Sequence, residues 1–303
     1  MEQYRSVLAL SSSRLPRMSG WSSSPGRLPA PVLFVLSGLS LYVGAALAVN
    51  LFQELRPSAV AWLRIFGSAV VLLAWRRPRV GSWSRRRWLL ASVFGVVTAV
   101  MNLTFYEAVA RIPLGTAVSI EFAGPVAVAA FGSRTRRDFA ALGLVALGVV
   151  LIAKVEWRSS PMGLLLIGIA AALWAGYIVL GKRVASSGSG IDDLAVGAGI
   201  ATLLLSPLLL WTGPVWSSGR LLVLGVGVGV LSSVIPYALD QVVLARVGRA
   251  RFALLLALLP LTASFIGVVI LRQIPHITEA LGAMAIIAGV VLRSRVSAAG
   301  DHV

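Results

Sequence analysis

Residues 113–131 read PLGTAVSIEFAGPVAVAAF, an apolar stretch long enough to cross a bilayer with one ionisable residue, Glu121, near its middle. A carboxylate at membrane depth costs about 2.5–3.5 kcal/mol on insertion scales, so such residues usually face a cavity or a partner rather than lipid. We therefore expect Glu121 to have either a function or a partner elsewhere in the chain.

The composition of the chain is that of a polytopic membrane protein. Of its 303 residues 58% are hydrophobic and 13% are charged, and the mean hydropathy is +0.89, which excludes an ordinary water-soluble globule. With no cysteine and only His276 and His302, we expect no disulfide, no metal site and no cofactor. A net charge of +16 would suggest nucleic acid as a partner in a soluble protein. Here the basic residues lie in short connections between apolar segments, which indicates membrane topology and no nucleic acid.

Windows of about 20 apolar residues predict ten membrane-spanning helices. The predicted spans are 31–50, 58–75, 88–110, 113–132, 138–154, 162–181, 193–211, 220–241, 250–271 and 276–293. The connections are short and contain Pro, Gly or Arg, so no soluble domain fits between the spans. The fold class that follows is an all-α integral membrane protein.

The basic residues predict the orientation of the chain. With the N-terminus in the cytoplasm, 20 of the 27 Lys and Arg residues fall in cytoplasmic segments, 6 in external segments, and Arg64 alone within a span. Because cytoplasmic loops collect Lys and Arg, we expect both termini inside the cell. Residues 1–28 are rich in Ser, Pro and Arg and have no signal-peptide core, so they predict a disordered cytoplasmic tail, unless Met18 is the true start. Residues 295–303 predict a short C-terminal tail.

The ten spans divide into two modules of five, residues 29–157 and 158–294. An odd number of spans in each module means that the second module enters the membrane in the opposite sense, as in an inverted repeat. Matches at an offset of 135 residues are Ala110-Arg111 with Ala245-Arg246, Pro125 with Pro260, and Gly132 with Gly267. Since these matches are few, the prediction depends mainly on the matching hydropathy layout.

Few ionisable residues lie within the predicted spans. Arg64 and Glu121 lie at similar depths in spans that enter from the external side, so their side chains could meet. Glu107 and Asp240 lie nearer span ends. One interpretation is an Arg64–Glu121 pair that only locks two helices together. The other is that one or both face a cavity, where Glu121 could hold an ammonium group or a proton and Arg64 a carboxylate.

Other polar and aromatic residues on the apolar spans are weaker candidates for a site. They are Asn102, Thr104, Tyr106, Trp174, Tyr177, Ser232, Ser233 and Tyr237. Hydrogen bonding between helices, or an aromatic belt at the membrane interface, would explain any one of them singly. We predict that Asn102, Tyr106, Tyr177 and Tyr237 form the wall of the cavity.

Two prolines occupy corresponding mid-membrane positions in the two modules. Pro125 and Pro260 each remove a backbone hydrogen bond and can expose carbonyl groups towards a cavity. We predict that they are hinges, with helix packing as the alternative.

The sequence contains none of the common enzyme motifs. It has no Gly-rich phosphate loop followed by Lys, no paired-His zinc signature and no GxSxG elbow. We expect that the chain is not an enzyme, and that concentrative transport would draw on an ion gradient.

Four stretches carry a family resemblance. They are GAALAVNLF at 44–52, WLR at 62–64, FYEAVARIPLGTAVSIEFAGPVAVAAF at 105–131 and PYALDQVVLARV at 236–247. They resemble the bacterial threonine/homoserine exporter branch of the drug/metabolite transporter (DMT) superfamily, whose modules are of the EamA type, and the resemblance covers residues 31–293. It implies ten helices in two inverted modules, alternating access around a central cavity, and export of small amino acids or other metabolites across the inner membrane. Arg64 and Glu121 match the family's arginine and glutamate, and Asp240 stands where the branch usually has Glu.

The chain departs from the family pattern at three places. Family members commonly have Glu-Pro in the ninth helix and Gly-Glu at its end, where this chain has Leu259-Pro260 and Arg272-Gln273. A Lys often follows the Gly-Ala-x-Leu-Ala run in the first helix, where this chain has Val49. These changes remove charges that could have contacted a zwitterion or a proton.

We predict a secondary exporter of a small metabolite, with an amino acid such as threonine or homoserine as first candidate and protons as the candidate coupling ion. A transporter of drugs or lipophilic cations on the same fold is the nearest alternative, because apolar, aromatic walls with one acid would suit a cation. From another class, a structural or regulatory membrane protein would bind a partner and move nothing. The sequence does not give the oligomeric state.

Overall fold

The structure is a computed structural model that describes residues 28–131, 136–185, 190–237, 239–240, 243, 255 and 258–300. These residues form helices joined by short connections, with no strand among them. The α-helices are α1 (Ala30–Leu51), α2 (Pro57–Arg76), α3 (Arg85–Val109), α4 (Leu114–Glu121), α5 (Ala123–Phe131), α6 (Arg136–Ser159), α7 (Pro161–Ala185), α8 (Gly190–Leu204), α9 (Gly213–Trp216), α10 (Gly219–Gly229), α11 (Leu258–Val269) and α12 (Ile277–Gly300).

Three further segments have tighter or wider helical turns. Val80–Ser82 and Ser206–Trp211 are 3-10 helices, and Val230–Val234 is a turn of π-helix that extends α10 into a span reaching Tyr237. We call Val230–Val234 the π turn. Single π turns inside α-helices are frequent at functional sites, because they change the hydrogen-bond partners of the backbone carbonyls.

The described part of the chain contains five helices long and apolar enough to cross a membrane, Ala30–Leu51, Pro57–Arg76, Arg85–Val109, Pro161–Leu180 and Gly219–Tyr237. Four shorter apolar helices accompany them. Large apolar side chains lie exposed on the outside of the bundle, among them Leu89, Phe139, Leu165, Val223 and Phe265. So much exposed apolar surface would be unfavourable in water, whereas lipid accommodates it, so the chain is a multi-pass membrane protein.

Successive long helices run in opposite directions, so the bundle has two ends. We call the end where α1 begins the proximal end; α2 finishes there at Arg76 and α3 begins there at Arg85. The other is the distal end, where α1 finishes and α2 begins. Hydrogen-bond partners fix several helix starts: the Ser84 hydroxyl accepts from Arg87 N at 3.3 Å, and the Glu279 carboxylate accepts from His276 N at 2.7 Å.

The helices of the first half pack mainly against those of the second. The closest associations are α6 with α12, α3 with α7 and α8, α2 with α8 and α10, and α11 with α1 and α4. Helices α4 and α5 both pack against α7, and α1 packs against α10 and the π turn. The core between them contains fully buried side chains such as Phe34, Leu63, Tyr106 and Phe122.

Glycines permit the closest of these helix contacts. At Gly95 in α3 an added Cβ would lie 2.9 Å from the Gly197 Cα of α8, and at Gly67 in α2 it would lie 2.9 Å from the Val226 Cα of α10. Small residues at these positions let the backbones approach, as is usual where helices pack inside a membrane.

The structure differs from the predicted spans in three places. The predicted span 113–132 is two helices, α4 and α5, separated at Phe122, and α8 ends at Leu204, where a 3-10 helix takes over. Helix α12 continues to Gly300 through most of the stretch predicted as a C-terminal tail. The predicted N-terminal tail up to residue 27, the start of the ninth span, and the repeat positions Gly132 and Ala245-Arg246 lie outside the described residues.

Replacing Gly95 with Ala is expected to destabilise the protein. The new Cβ would press on the α8 backbone, and such overpacking costs about 1–3 kcal/mol. Gly143→Ala in α6 is the matched control, because nothing lies within 4 Å of a Cβ at that position and Ala is the better helix former. Thermal unfolding in detergent should show a lower melting temperature for Gly95→Ala only. An unchanged melting temperature in both variants would show that α3 and α8 do not approach this closely.

Candidate functional site

Glu121 lies at a break in the helix that carries it. Helix α4 ends at Glu121 and α5 begins at Ala123. Pro125 has no N–H, so it cannot donate the helical hydrogen bond to the Glu121 carbonyl oxygen, whereas the next helical bond, from Val126 N to Phe122 O, is present at 3.3 Å. The carboxylate and a carbonyl released from helical bonding therefore both lie at the C-terminal end of α4. The helix dipole makes that end favourable for a cation.

Arg64 in α2 is held by the π turn of the neighbouring span. Its Nη2 donates to the Ser232 carbonyl oxygen at 3.0 Å, and its Nε donates to Ser233 Oγ at 3.4 Å. On its other side the guanidinium lies 5.4 Å from the centre of the Tyr106 ring. These contacts fix the position of the cation without neutralising its charge.

Serines of α1 and α2 bind other backbone carbonyls at the π turn. Ser40 Oγ donates to Leu231 O at 2.8 Å, and Ser68 Oγ lies 3.2 Å from Gly229 O. Ser232 Oγ in turn donates to Leu41 O at 3.3 Å. Since unsatisfied carbonyls are costly inside a membrane, these bonds are what allow the irregular turn to exist there.

A cavity of about 210 Å³ lies in the middle of the bundle. Its lining includes Arg64, Asn102, Glu121, Trp174, Tyr177 and Tyr42. A second cavity of about 190 Å³ shares Arg64, Asn102 and Tyr177 and extends towards the proximal end, where Tyr237 and Leu72 line it. We call them the central and the proximal cavity.

Arg64 and Glu121 line the same cavity without forming an ion pair. Of the four ion pairs with an N–O distance of 4.0 Å or less among the described residues, none joins these two. No hydrogen bond to the Glu121 carboxylate is found in that part of the chain either. Of the two sequence interpretations, the structure favours the second, because both charges line one cavity and no ion pair joins them.

The structure places the four predicted wall residues in two ways. Asn102, Tyr177 and Tyr237 line the cavities, with Asn102 and Tyr177 contributing to both. Tyr106 lies behind the wall instead: it is fully buried, its ring supports Arg64, and its hydroxyl has no hydrogen-bond partner among the described residues. The rings of Phe52 and Phe105 pack against it, with ring centres 6.0 and 5.9 Å away, and Phe105 lines the central cavity in its place.

Asp240 and Pro260 are not among the residues that line the central or the proximal cavity. Asp240 accepts a hydrogen bond from Ser37 Oγ at 2.7 Å, which ties the end of the eighth span to α1, and it lines neither the central nor the proximal cavity. Pro260 is a buried residue of α11, next to Leu259, which does line the central cavity. The residue to which an N–H at position 260 would bond, residue 256, lies outside the described part.

Sequence reasoning missed the contribution of α1 to the site. Tyr42 lines the central cavity, while Ser37 and Ser40 bind the eighth span. The available signal was the spacing of the two serines, since hydroxyls three residues apart lie on one helix face and can bind a neighbouring helix.

Comparison with known proteins places this architecture in a family. The threonine/homoserine exporter RhtA of Salmonella typhimurium (strain LT2) is 33% identical over 273 residues, covering 88% of this chain and 92% of that protein. RhtA of Escherichia coli K12 is also 33% identical, over 269 residues, covering 87% and 90%. The model of the EamA-like transporter family matches residues 161–295. This chain belongs to the EamA-like transporter family. Within the DMT superfamily it lies in the RhtA-like branch, whose members are transporters and not enzymes.

Two more distant likenesses agree with this EamA-like fold. An uncharacterized transporter of Archaeoglobus fulgidus is 25% identical over 268 residues, covering 83% of this chain and 93% of that protein. A protein chain in a solved crystal structure aligns with 90% of this chain and with 99% of its own length, with a TM-score of 0.59 and 19% sequence identity. At that identity the second likeness shows the fold alone.

The departures from the family pattern fall in different parts of this EamA-like transporter. Leu259 lines the central cavity, so an apolar side chain stands there at the position where the resemblance implies a glutamate. Gln273 lines a third cavity of about 190 Å³ near the distal end, where its Oε1 accepts from Leu114 N at 2.9 Å. Arg272 has φ of 56°, a left-handed conformation that glycine adopts more easily. Only the change at 259 removes a charge from the described lining of the central cavity.

Pro125→Ala is expected to slow transport. An alanine N–H can bond to the Glu121 carbonyl oxygen and heal the break at Phe122, which should cost about tenfold in rate if the break is part of the cycle. Pro161→Ala is the control, since Pro161 is the first residue of α7, where an N–H has no helical partner. Transport assays at matched membrane abundance test this. Equal rates for Pro125→Ala and wild type would make the break a packing feature.

Proposed function

We propose that the chain forms ten membrane spans in two inverted modules of five. Taking α4 with α5 as one span, and α10 with the π turn as another, exchange of the two modules maps the packed helix pairs onto one another. The α3–α7 contact maps onto α10–α1, the α3–α8 contact onto α10–α2, and the contacts of α4 and α5 with α7 onto α11–α1. The pairs α6–α12, α2–α8 and α4–α11 map onto themselves. Such symmetry is expected of transporters built from inverted repeats.

We further propose that the substrate is a small zwitterionic amino acid of the threonine or homoserine kind, exported from the cytoplasm. The observation that carries this is the unpaired arrangement of Arg64 and Glu121 along one cavity. A carboxylate fits the remaining donors of the Arg64 guanidinium, and an ammonium group fits Glu121 at the C-terminal end of α4. The similarity to threonine/homoserine exporters supports the same substrate class.

The size of the central cavity favours a small solute over a drug. It holds about 210 Å³ between the two charges, whereas pockets for drug-sized ligands hold roughly 300–1,000 Å³. A lipophilic cation would also leave Arg64 without an anionic partner, which is unfavourable in a site of low dielectric.

The basic residues support an orientation with the proximal end in the cytoplasm. Arg76 and Arg87 lie there, in line with the excess of Lys and Arg on the cytoplasmic side of bacterial inner-membrane proteins. Substrate would then enter through the proximal cavity, which continues from the central one. Glu121 is the candidate for coupling to protons, because it is the carboxylate among the described residues that line the central cavity.

Glu121→Gln is expected to abolish most export. The neutral amide keeps the size of the side chain but loses the charge-assisted contact to the ammonium group, which is worth about 2 kcal/mol, or about thirtyfold in transport rate. The measurement is efflux of labelled threonine and homoserine from cells at matched membrane abundance. Glu107→Gln is the control, since Glu107 pairs with Arg111 near the end of α3. No efflux from the wild type would overturn the amino-acid proposal, and wild-type efflux from Glu121→Gln would remove Glu121 from the site.

Arg64→Lys is expected to lower export about tenfold, because an ammonium group cannot reproduce the planar, multiply bonded guanidinium. It would lose at least one of the bonds to Ser232 and Ser233 and would release the π turn. Arg111→Lys, at the pair with Glu107 near the end of α3, should leave export unchanged. Competition by amino-acid methyl esters gives a second readout: esters should compete poorly with the wild type if Arg64 binds the carboxylate. Strong competition by esters would contradict this role.

A further inference from the structure

Ion pairs join the two halves of the molecule at both ends of the bundle. At the proximal end Arg76 Nε lies 3.0 Å from Asp192 Oδ1, and Arg87 Nε lies 2.7 Å from Asp193 Oδ1. At the distal end Arg220 Nη2 lies 2.6 Å from the Glu54 carboxylate. Each pair has one partner in the first module and one in the second.

The contacts at the two ends occupy equivalent places in the proposed inverted repeat. Arg87, in the first turn of α3, pairs with Asp193 in the first turn of α8. Arg220, in the first turn of α10, pairs with Glu54 just before α2, which is the same combination of helix ends with the modules exchanged.

A second contact repeats in the same way. Arg76, at the end of α2, meets Asp192 at the start of α8. Trp211, 135 residues after Arg76, ends the span that α8 begins, and its ring lies 5.2 Å from the guanidinium of Arg56 at the start of α2. Both contacts thus join the same combination of helix ends when the two modules are exchanged.

The contacts lie at opposite ends of the cavities. Leu72, one helical turn from Arg76, and Leu194, next to Asp193, both line the proximal cavity, so the proximal ion pairs adjoin its outer limit. Towards the distal end, Trp62 in the turn before Arg64 packs against Trp216, with ring centres 6.5 Å apart. Glu54 and Arg56 precede the first turn of α2, so the distal contacts lie nearer the distal end than Trp62 does.

We propose that these contacts are the two gates of the transport cycle. The proximal gate is Arg76–Asp192 with Arg87–Asp193, and the distal gate is Arg220–Glu54 with Arg56–Trp211. Each gate fastens α2 or α3 of the first module to α8 or α10 of the second, so opening one end requires one gate to separate while the other holds. This inference rests on the proposed inverted repeat and alternating access, and adds the residues that close each end.

The two gates differ in strength. The side chain of Asp193 is 1% exposed and that of Arg87 is 22% exposed, whereas Arg220 and Glu54 are 62% and 43% exposed. The shielded Arg87–Asp193 pair is screened less by solvent and salt, whereas an exposed pair contributes little. The proximal gate therefore holds more firmly, and the resting protein opens more readily at the distal end.

Labelling of a cysteine in the cavity tests the gates. The chain has no cysteine, and Thr98, which lines the proximal cavity, can be replaced with Cys as a probe. A membrane-impermeant methanethiosulfonate reagent, applied to right-side-out and to inside-out vesicles, reaches the probe from one end at a time. Asp193→Asn should raise labelling through the proximal end about tenfold, the effect of one lost charge-assisted bond on a two-state equilibrium. Glu54→Gln should raise labelling through the distal end by about two- to threefold.

Further variants separate gating from misfolding. The double variant Arg87→Asp with Asp193→Arg exchanges the charges of the pair and should return labelling towards the wild-type rate. Asp192→Asn, at the more exposed proximal pair, should raise proximal labelling as Asp193→Asn does. Glu107→Gln breaks a pair within the first module and should change neither rate. Unchanged proximal labelling in both Asp variants, or a rise in proximal labelling caused by Glu54→Gln, would overturn the gates.

The labelling needs no substrate, so it separates this inference from the proposed function. Side-specific labelling changes in a protein that exports neither threonine nor homoserine would support the gates and remove only the substrate proposal. If export is normal and no gate variant alters the labelling, the substrate proposal is supported and the gates are overturned.

Discussion

The hydrogen bond from the Arg64 guanidinium to the Ser232 carbonyl oxygen, 3.0 Å long, is the contact on which the centre of this protein depends. A cation in the middle of a membrane must be solvated by the protein, and an α-helix has no spare carbonyls in its interior. The π turn supplies one by altering the hydrogen-bond pattern of the eighth span. The serines of α1 and α2, the Tyr106 ring below the guanidinium and the course of the eighth span all follow from this arrangement.

Close backbone approach makes that contact possible. A Cβ on Gly67 would lie 2.9 Å from the Val226 Cα, and one on Gly229 would lie 2.8 Å from Ser68 N, so neither position could carry a side chain without separating α2 from α10. With the helices apart, Arg64 would not reach the π turn and its charge would lose its protein partners. These glycines therefore do more than permit helix packing, because they also determine where the cation lies.

The sequence predicts functional residues best where burying a residue in a membrane has a high free-energy cost. Arg64, Glu121 and Pro125 were singled out because a charge or a missing N–H inside a membrane needs a reason, and the structure brings the two charges to one cavity beside the proline break. Hydropathy also located the long helices. It could not place Tyr106 behind the wall or Asp240 against Ser37, since apolar periodicity is weak in helices that are apolar all round.

The π turn and the gates were likewise invisible to composition. A π turn depends on which neighbour binds the freed carbonyls, and the neighbours here are Ser40 and Ser68 from helices far away in sequence. The gate pairs join residues more than 100 positions apart, such as Arg87 with Asp193. From the sequence, basic residues at helix ends indicate only the membrane topology. The structure is needed to show which of them pair with acidic residues of the other module.

The apolar side chain of Leu259 in the lining of the central cavity has a consequence for energetics. Glu121 is then the single carboxylate among the described residues lining the central cavity. If coupling runs through that group alone, each substrate molecule is exchanged for no more than one proton. The free energy stored in the substrate gradient then cannot exceed the free energy released when one proton crosses the membrane. A measured stoichiometry of two would require a second acid from elsewhere in the chain.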